Sequence, residues 1–428
     1  MADLAPPRGT QDLLPDTADA MLGLYEEAHR AARLSGFRYL ETPTFEHTEL
    51  FTRTSGDTSD VVSKEMYTFE DKGGRSVTLR PESTAGVVRA WLDHAQDLGS
   101  PFRGYYVASE FRHGRPQFGR TREFRQFGIE VIGSAAPGAD VEVITLGERY
   151  LRERGLRRYT LHLNSIGDDA CRPAYREELV AYFQAYLGQL DEDCRQRLTK
   201  NPLRVFDCKV DGVKDFVQAA PTIADRLCEP CAEHFAAVRA GLDAAGIDYM
   251  LDPRLVRGLD YYTRTAFEWI SEVLAENKAG TVNAGGRYDG LAEALGGTPT
   301  PGVGFAMGLD RVLLAMEGEG VAVAPPRVPR AFVVAIGQPV QAAGRALLDD
   351  LRAAGVSAIA ALEDRPMKAQ MKQANRAGAD FAVIVGESEL AEGSVTLRRL
   401  DDGIQKTVPR QDVTRWLLRL DDWTDETS

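Results

Sequence analysis

The sequence predicts two folded regions of different class: a large mixed region of strands and helices, then a smaller α/β domain. Three observations carry that prediction. Asp260 to Glu268 alternates with the two-residue period of a strand, and the stretch from about Asp168 to Gly241 turns helical and rich in Ala, Glu, Leu and Arg. Beyond a proline-rich segment, Phe332 to Val385 reads strand, helix, strand, helix, strand, the order of a compact parallel-sheet domain.

The chain's 428 residues are enough for two or three cores, and 43% hydrophobic with 27% charged residues is ordinary globular composition. No apolar run is long enough to span a bilayer, and the first residues lack the basic and apolar parts of a signal peptide. A cytoplasmic setting without a membrane partner is therefore expected. Five cysteines, an odd number, point to free thiols in a reducing compartment. Cys228 and Cys231 form a C-x-x-C whose one other nearby candidate ligand is His234, so no structural metal is expected. With a net charge of −13, binding of a polyanion needs locally concentrated basic residues.

Taking the elements in order, Asp16 is a cap candidate for a helix with Met21, Leu24, Tyr25, Ala28 and Ala32 at helical spacing, stopped by Gly36. Phe37 to Thr42 reads as a short strand ended by Pro43. After a polar loop at 54–59, Met66–Phe69 and Ser76–Leu79 form a hairpin about Asp71 to Gly74. At Arg80-Pro-Glu-Ser-Thr-Ala-Gly86 strand passes into helix, with Thr84 as cap candidate. Glu82 on that junction is either a helix-end stabiliser or a ligand for an ammonium group.

Phe102 to Arg112 and Glu123 to Ile132 are two strands joined by a loop. On the second, Phe127, Ile129 and Val131 share an apolar face, and Gln126, Gly128 and Glu130 share the other. Gly128 leaves a slot between a carboxamide and a carboxylate, for a ligand or for a close backbone approach. Arg103, Arg112, Arg115, Arg120, Arg122 and Arg125 in and around the loop face only Glu110 and Glu123, which favours phosphate over a merely solvated face.

Ile247 to Leu251 returns to strand. In the alternating stretch that follows, Tyr261, Thr263, Thr265 and Phe267 point to one face, and Asp260, Tyr262, Arg264 and Glu268 to the other. Gly258 allows a turn that brings in Arg257. Such a set suits a pocket for a small zwitterion or an edge strand with a solvated charged face. Thr281 to Gly290 is a glycine-rich strand and turn. Gly302 to Arg311 runs into a helix whose first turn holds Arg311, a cation unfavourable there unless an anion offsets it. Residues 321–330 read as a linker. In the domain at 331–428, Lys368, Lys372 and Arg376 lie four apart on one helix face, a candidate RNA contact.

Leu255-Val-Arg-Gly-Leu-Asp-Tyr-Tyr-Thr263 together with Ala284-Gly-Gly-Arg-Tyr-Asp-Gly-Leu291 resembles the two signature segments of the histidyl-tRNA synthetase family. Phe111 to Glu130 is similar to the second motif of class II aminoacyl-tRNA synthetases, Gly302 to Arg311 to the third, and Ala18 to Pro43 to the first. The resemblance spans the chain. It implies an α+β catalytic domain over 1–320, an antiparallel sheet flanked by helices with a helical insertion at about 168–241. It also implies a C-terminal α/β anticodon-binding domain and a homodimer.

The implied activity is ATP-dependent charging of tRNA(His) with L-histidine through a histidyl-adenylate, with Mg2+ bound to ATP. The implied histidine site is Glu82, Ser83, Thr84, Gln126, Glu130, Tyr261, Tyr262 and Tyr288, with Glu82 on the ammonium and Glu130 on the imidazole. Arg112 and Arg311 would grip the ATP phosphates, and Arg257 would stand at the α-phosphate. Gln117 and Arg120 are candidates for the tRNA acceptor end, and the C-terminal cations for the anticodon. Two positions depart from the family pattern: Gly114 replaces a glutamate that contacts adenine, and Arg125 replaces a histidine. A rival relative is an idle histidine-sensing subunit that partners an ATP phosphoribosyltransferase and typically lacks the C-terminal domain.

Overall fold

The chain divides into two compact units, Met1–Pro325 and Pro326–Ser428. The computed structural model describes residues 4–55, 64–206, 208, 210–277, 279–322 and 328–418. Most of the polar loop expected at 54–59 and the middle of the linker expected at 321–330 lie outside the described residues.

In the first unit an eight-stranded sheet runs in the spatial order Arg38–Tyr39, Phe102–Phe111, Glu123–Ile132, Gly302–Gly308, Thr281–Arg287, Thr263–Ser271, Tyr159–Ser165, Met250–Leu251. The six inner strands are antiparallel, and the two-residue edge strands run parallel to their neighbours. One face packs Phe127, Ile129, Val131, Phe267, Trp269 and Phe305 into the main core, together with residues of the helices Pro15–Leu34, Pro137–Glu153 and Leu309–Glu319. Each such side chain contributes about 1.5–3 kcal/mol when fully buried. A one-residue slip would turn the whole row out of the core, so burial fixes the register. That register leaves Gln126, Gly128 and Glu130 on the opposite face, as their alternation predicts.

Several local expectations are corrected. The first helix begins at Pro15 with Leu14 in the cap position and no side-chain cap, so Asp16 lies in its first turn. Pro15 at the first helical position has no N–H to satisfy and its fixed φ suits the helix entrance. The strand expected over 37–42 is only Arg38–Tyr39. The hairpin Tyr67–Glu70 with Ser76–Leu79 forms as expected, and Phe45–His47 adds a third strand to it. The helical stretch has its own small core around Tyr175, Leu179, Phe183 and Leu198. Its last helix, Glu229–Ala244, instead sends Val238 and Leu242 into the main core.

The second unit has a five-stranded sheet ordered Ala358–Ala360, Ala331–Ala335, Phe381–Val385, Ser394–Arg399, Gln405–Pro409. The first three strands are parallel, as the βαβαβ pattern predicts, but the last two are antiparallel, so the sheet is mixed. Helix Met367–Arg376 buries Gln370 and Ala374 and leaves Lys368, Lys372 and Arg376 exposed.

Candidate active site

Glu130 stands in the middle of the polar face of the main sheet, with Gly104 and Gly304 directly across from it on the two neighbouring strands. The glycines leave room for its carboxylate, which is fully buried. Thr84 donates its hydroxyl to Glu130 Oε1 at 2.8 Å, and the Tyr288 phenol donates to Oε2. Burial nevertheless pushes the carboxyl up to about 8, against those hydrogen bonds.

The strand-to-helix junction above it supplies three more groups. Helix Thr84–Asp93 starts one residue earlier than Thr84 as cap would require: Ser83 holds the cap position without a side-chain cap, and Thr84 is the first helical residue. Glu82 takes the capping work, accepting from Thr84 N–H at 2.8 Å and Ala85 N–H at 3.1 Å. Its carboxylate is buried, and the Tyr261 hydroxyl lies 3.4 Å away. Ser83 donates to Glu110 Oε1 at 2.5 Å, and burial pushes that carboxyl to about 8 as well.

Tyrosines wall the pocket. The rings of Tyr261 and Tyr262 lie 4.7 Å apart, and those of Tyr261 and Tyr288 lie 6.0 Å apart. Alternation would put Tyr261 and Tyr262 on opposite faces. It fails because the strand begins only at Thr263, and because Arg264 at φ +50° kinks it. Arg264 turns away to Asp168, at 3.2 Å, and Asp260 accepts from Asn201 at 2.9 Å. Arg264 is absent from the hollow that Asp260 lines together with Arg257 and Tyr262. Gly258 is not in the left-handed region, and a Cβ there would meet nothing, so it is not what positions Arg257. The slot above Gly128 is filled from within: a Cβ would come 2.1 Å from the Tyr106 ring. Gln126 Oε1 is buried without a hydrogen-bond partner among the described residues.

Arg311 donates to Gly119 O at 2.8 Å and Thr281 O at 2.7 Å. Burial, then the nearby charges of Arg120 and Arg112, lower its guanidinium to about 10. Arg112 donates to Pro81 O at 2.8 Å with its guanidinium 5.2 Å from the centre of the Phe124 ring. Arg257 lies 3.6 Å from Glu268 Oε2 and 5.3 Å from the Tyr262 ring centre. The Thr281 hydroxyl donates to Glu268, so Thr281 and Glu268 connect Arg311 with Arg257. Cations brought together in a buried place favour a polyanionic ligand.

Three other arginines of this stretch are engaged elsewhere. Arg103 pairs with Glu142 at 3.1 Å, Arg125 with Asp310 at 3.1 Å, and Arg122 donates to backbone carbonyls. Gln117 and Arg120 face each other across an exposed tight turn. A Cβ at Gly114 would lie 3.1 Å from Glu65 Oε1, so a carboxylate borders the place where the family glutamate is missing.

Sequence reasoning passed over Tyr106, Glu110 and Glu268 as site residues. The signal for the first two was present, since Gly104, Tyr106, Ala108 and Glu110 alternate on the strand paired with Gln126, Gly128 and Glu130.

A family model for histidyl-tRNA synthetase matches residues 9–312, and one for an anticodon binding domain matches residues 330–420. A histidine--tRNA ligase of Moorella thermoacetica is 50% identical over 404 residues, covering 94% of this chain and 95% of that protein. One of Rhodococcus erythropolis is 46% identical over 408 residues, covering 95% and 96%. The crystal structure of apo histidyl-tRNA synthetase from S. aureus matches with a TM-score of 0.81 at 35% identity, over 97% of this chain and 99% of that one. An ATP phosphoribosyltransferase regulatory subunit/histidyl-tRNA synthetase from Bacillus halodurans C shares the fold, with a TM-score of 0.63 at 19% identity over 90% and 98% of the two chains. With relatives this similar over nearly its whole length, and a carboxylate-lined pocket beside gathered arginines, the chain belongs to the histidyl-tRNA synthetase family.

Proposed function

We propose that this protein activates L-histidine with ATP and transfers it to tRNA(His). The observation that carries the reading is the junction of two sites: a buried polar pocket holding Glu82, Gln126 and Glu130 opens beside Arg112, Arg257 and Arg311. Glu82 receives the ammonium group and Glu130 an imidazole nitrogen. Ser83, Thr84, Gln126, Tyr261, Tyr262 and Tyr288 complete the walls. An isostere without the ring N–H would leave Glu130 short of a partner, which gives selectivity.

In the first step a histidine carboxylate oxygen bonds to the α-phosphorus, and the bond to the bridging oxygen breaks. Pyrophosphate departs with the electron pair. Anion approaches anion, so fixed guanidiniums lower the barrier as charge builds on the phosphoryl oxygens. Arg112 and Arg311 hold the phosphates, Arg257 meets the α-phosphate, and Mg2+ enters bound with ATP. In the second step a terminal ribose hydroxyl of the tRNA bonds to the carbonyl carbon, loses its proton, and AMP leaves. Gln117 and Arg120 lie at the acceptor end, and Lys368, Lys372 and Arg376 contact the anticodon arm. The enzyme works as a cytoplasmic homodimer.

The regulatory-subunit reading has less support, because the chain keeps all three arginines and a second unit matched as an anticodon binding domain. Exchange of labelled pyrophosphate into ATP, run with each of the twenty amino acids and no tRNA, tests the proposal. Exchange with histidine alone is the expected result. Well-folded protein that binds histidine but exchanges nothing would favour the regulatory reading.

A further inference from the structure

The helical insertion leaves the main sheet after strand Tyr159–Ser165 and returns to the main core with helix Glu229–Ala244. At those two points the chain repeats one spacing: Asp168-x-x-Cys171 on the way out, Cys228-x-x-Cys231 on the way back. The fold brings the pairs together, so that one ligand atom from each of the four residues lies within 4.8 Å of every other. Cys171 Sγ is 3.9 Å from Cys231 Sγ, and Asp168 Oδ1 is 3.7 Å from both Cys171 Sγ and Cys228 Sγ. A tetrahedral ion with metal–sulfur bonds of about 2.3 Å sets its sulfurs about 3.8 Å apart. The expectation of no metal rested on His234 as the only further ligand. In the fold His234 faces Asp140, at 3.4 Å, and the third and fourth donors come from about sixty residues upstream.

The surroundings are built around this cluster. Gly167 sits at φ +66°, and a Cβ on it would come 2.6 Å from Cys171 Sγ. Arg264 is the one non-glycine residue with positive φ among the described residues. Its backbone N–H donates to Gly167 O at 2.7 Å, its carbonyl accepts from Ile166 N–H at 2.7 Å, and its guanidinium meets Asp168 Oδ2 at 3.2 Å. Oδ1, which also accepts from Ala170 N–H at 3.0 Å, faces the sulfurs, the arrangement of a ligating carboxylate oriented by outer hydrogen bonds. Holding an arginine in the left-handed region costs on the order of 1 kcal/mol or more, so the neighbourhood must over-determine it.

We propose that Asp168, Cys171, Cys228 and Cys231 bind one thiophilic divalent ion, zinc by the softness of three thiolates with one carboxylate, and that the ion staples the entry of the insertion to its exit. The insertion contains a second cluster, Asp191, Cys194, Cys208 and Asp211, that serves as an internal contrast. There Asp191 Oδ1 accepts from Cys194 N–H at 2.7 Å and Asp211 Oδ2 from Asp191 N–H at 2.8 Å, as Asp168 Oδ1 accepts from Ala170 N–H at 3.0 Å in the first cluster, so the difference lies in the nearby charge. The Lys214 ammonium stands 2.6 Å from Asp211 Oδ1, so a cation already holds that place.

The full chain, purified without chelator from cells supplied with zinc, is expected to carry one zinc per chain by elemental analysis. Refilling stripped protein with cobalt(II) under argon is expected to give thiolate-to-cobalt charge-transfer bands and the visible bands of tetrahedral coordination. Cys228→Ser, at a half-buried position, should lose most of the bound zinc, whereas Cys194→Ser should retain one per chain. Asp168→Cys should keep the ion and strengthen the charge-transfer bands as a fourth thiolate joins. Metal-free protein that takes up cobalt without those bands would overturn the proposal. Zinc retained at one per chain in Cys228→Ser, or a Cys171–Cys231 disulfide in freshly isolated protein, would do the same. Should a serine variant fail to fold, the cobalt spectrum of the native chain decides.

Discussion

Glu130 stands directly across the strand pair from Gly304, and a Cβ at Gly304 would fall 1.8 Å from Glu130 Oε2 and 2.4 Å from the Ile129 carbonyl. The second atom is backbone and cannot swing aside. Gly304→Ala is therefore expected to destabilise the protein by about 1–3 kcal/mol of overpacking. It should also push the Glu130 carboxylate off its two hydroxyl donors. Losing hydrogen bonds to a charged group of that kind lowers histidine-dependent exchange by about 10- to 100-fold. Thermal unfolding and exchange rates measured on the same preparation check both halves. An alanine variant with native exchange would mean that Glu130 does not read the substrate.

Glu110 and Glu130 share one pocket, and burial raises each carboxyl from an ordinary 4.5 to about 8. A carboxyl whose folded value is raised binds its proton more tightly folded than unfolded. Its stabilising contribution is complete below the unfolded value and is lost as pH rises through the folded one. The unliganded protein is thus expected to lose stability between about pH 5 and pH 9. Glu130→Gln mimics the protonated state and should flatten part of that slope. Melting curves across the range, without histidine, check this; equal slopes for both proteins would place the proton elsewhere.

The sheet was legible because its core row is unambiguous: Phe127, Ile129 and Val131 can face only inward, and Gln126 and Glu130 then follow to the pocket side. What the period could not reveal was the kink at Arg264, where a non-glycine residue enters the left-handed region and puts Tyr261 and Tyr262 on one wall. Clusters made from distant segments were equally hidden. Charge density around 103–125 favours phosphate binding over a solvated face, yet Arg103 and Arg125 pair with Glu142 and Asp310. In the second unit, Val395 and Leu397 alternate inward on the fourth strand, a signal that the βαβαβ reading overlooked.

Arg257 touches the carboxylate of Glu268 at 3.6 Å and lies over the ring of Tyr262, a wall of the Glu130 pocket, so it stands at the pocket's edge. In the proposed reaction its charge serves the phosphoryl group rather than the amino acid. Arg257→Ala is expected to slow adenylate formation by about 100- to 1,000-fold, the usual cost of removing one donor aimed at developing charge. Histidine affinity should change little. Single-turnover adenylate formation and equilibrium histidine binding, compared side by side, separate the two; equal losses would make Arg257 a uniform binding group.

Lys368, Lys372 and Arg376 form an exposed row on helix Met367–Arg376, whose opposite side is fixed by Gln370 bonding to Ala335 O at 2.8 Å. The three cations carry no share of the helix's packing, so Lys368→Ala, Lys372→Ala and Arg376→Ala together should leave the fold intact. If the row meets a tRNA phosphate backbone, each lost contact removes about one unit from the slope of log affinity against log salt. The triple variant is therefore expected to raise the KM for tRNA(His) most at low ionic strength and to lose part of the salt dependence. Pyrophosphate exchange, which needs no tRNA, should be unchanged. Charging kinetics for the native and triple-variant enzymes across a salt series make the comparison, and identical slopes would mean that this face does not touch RNA.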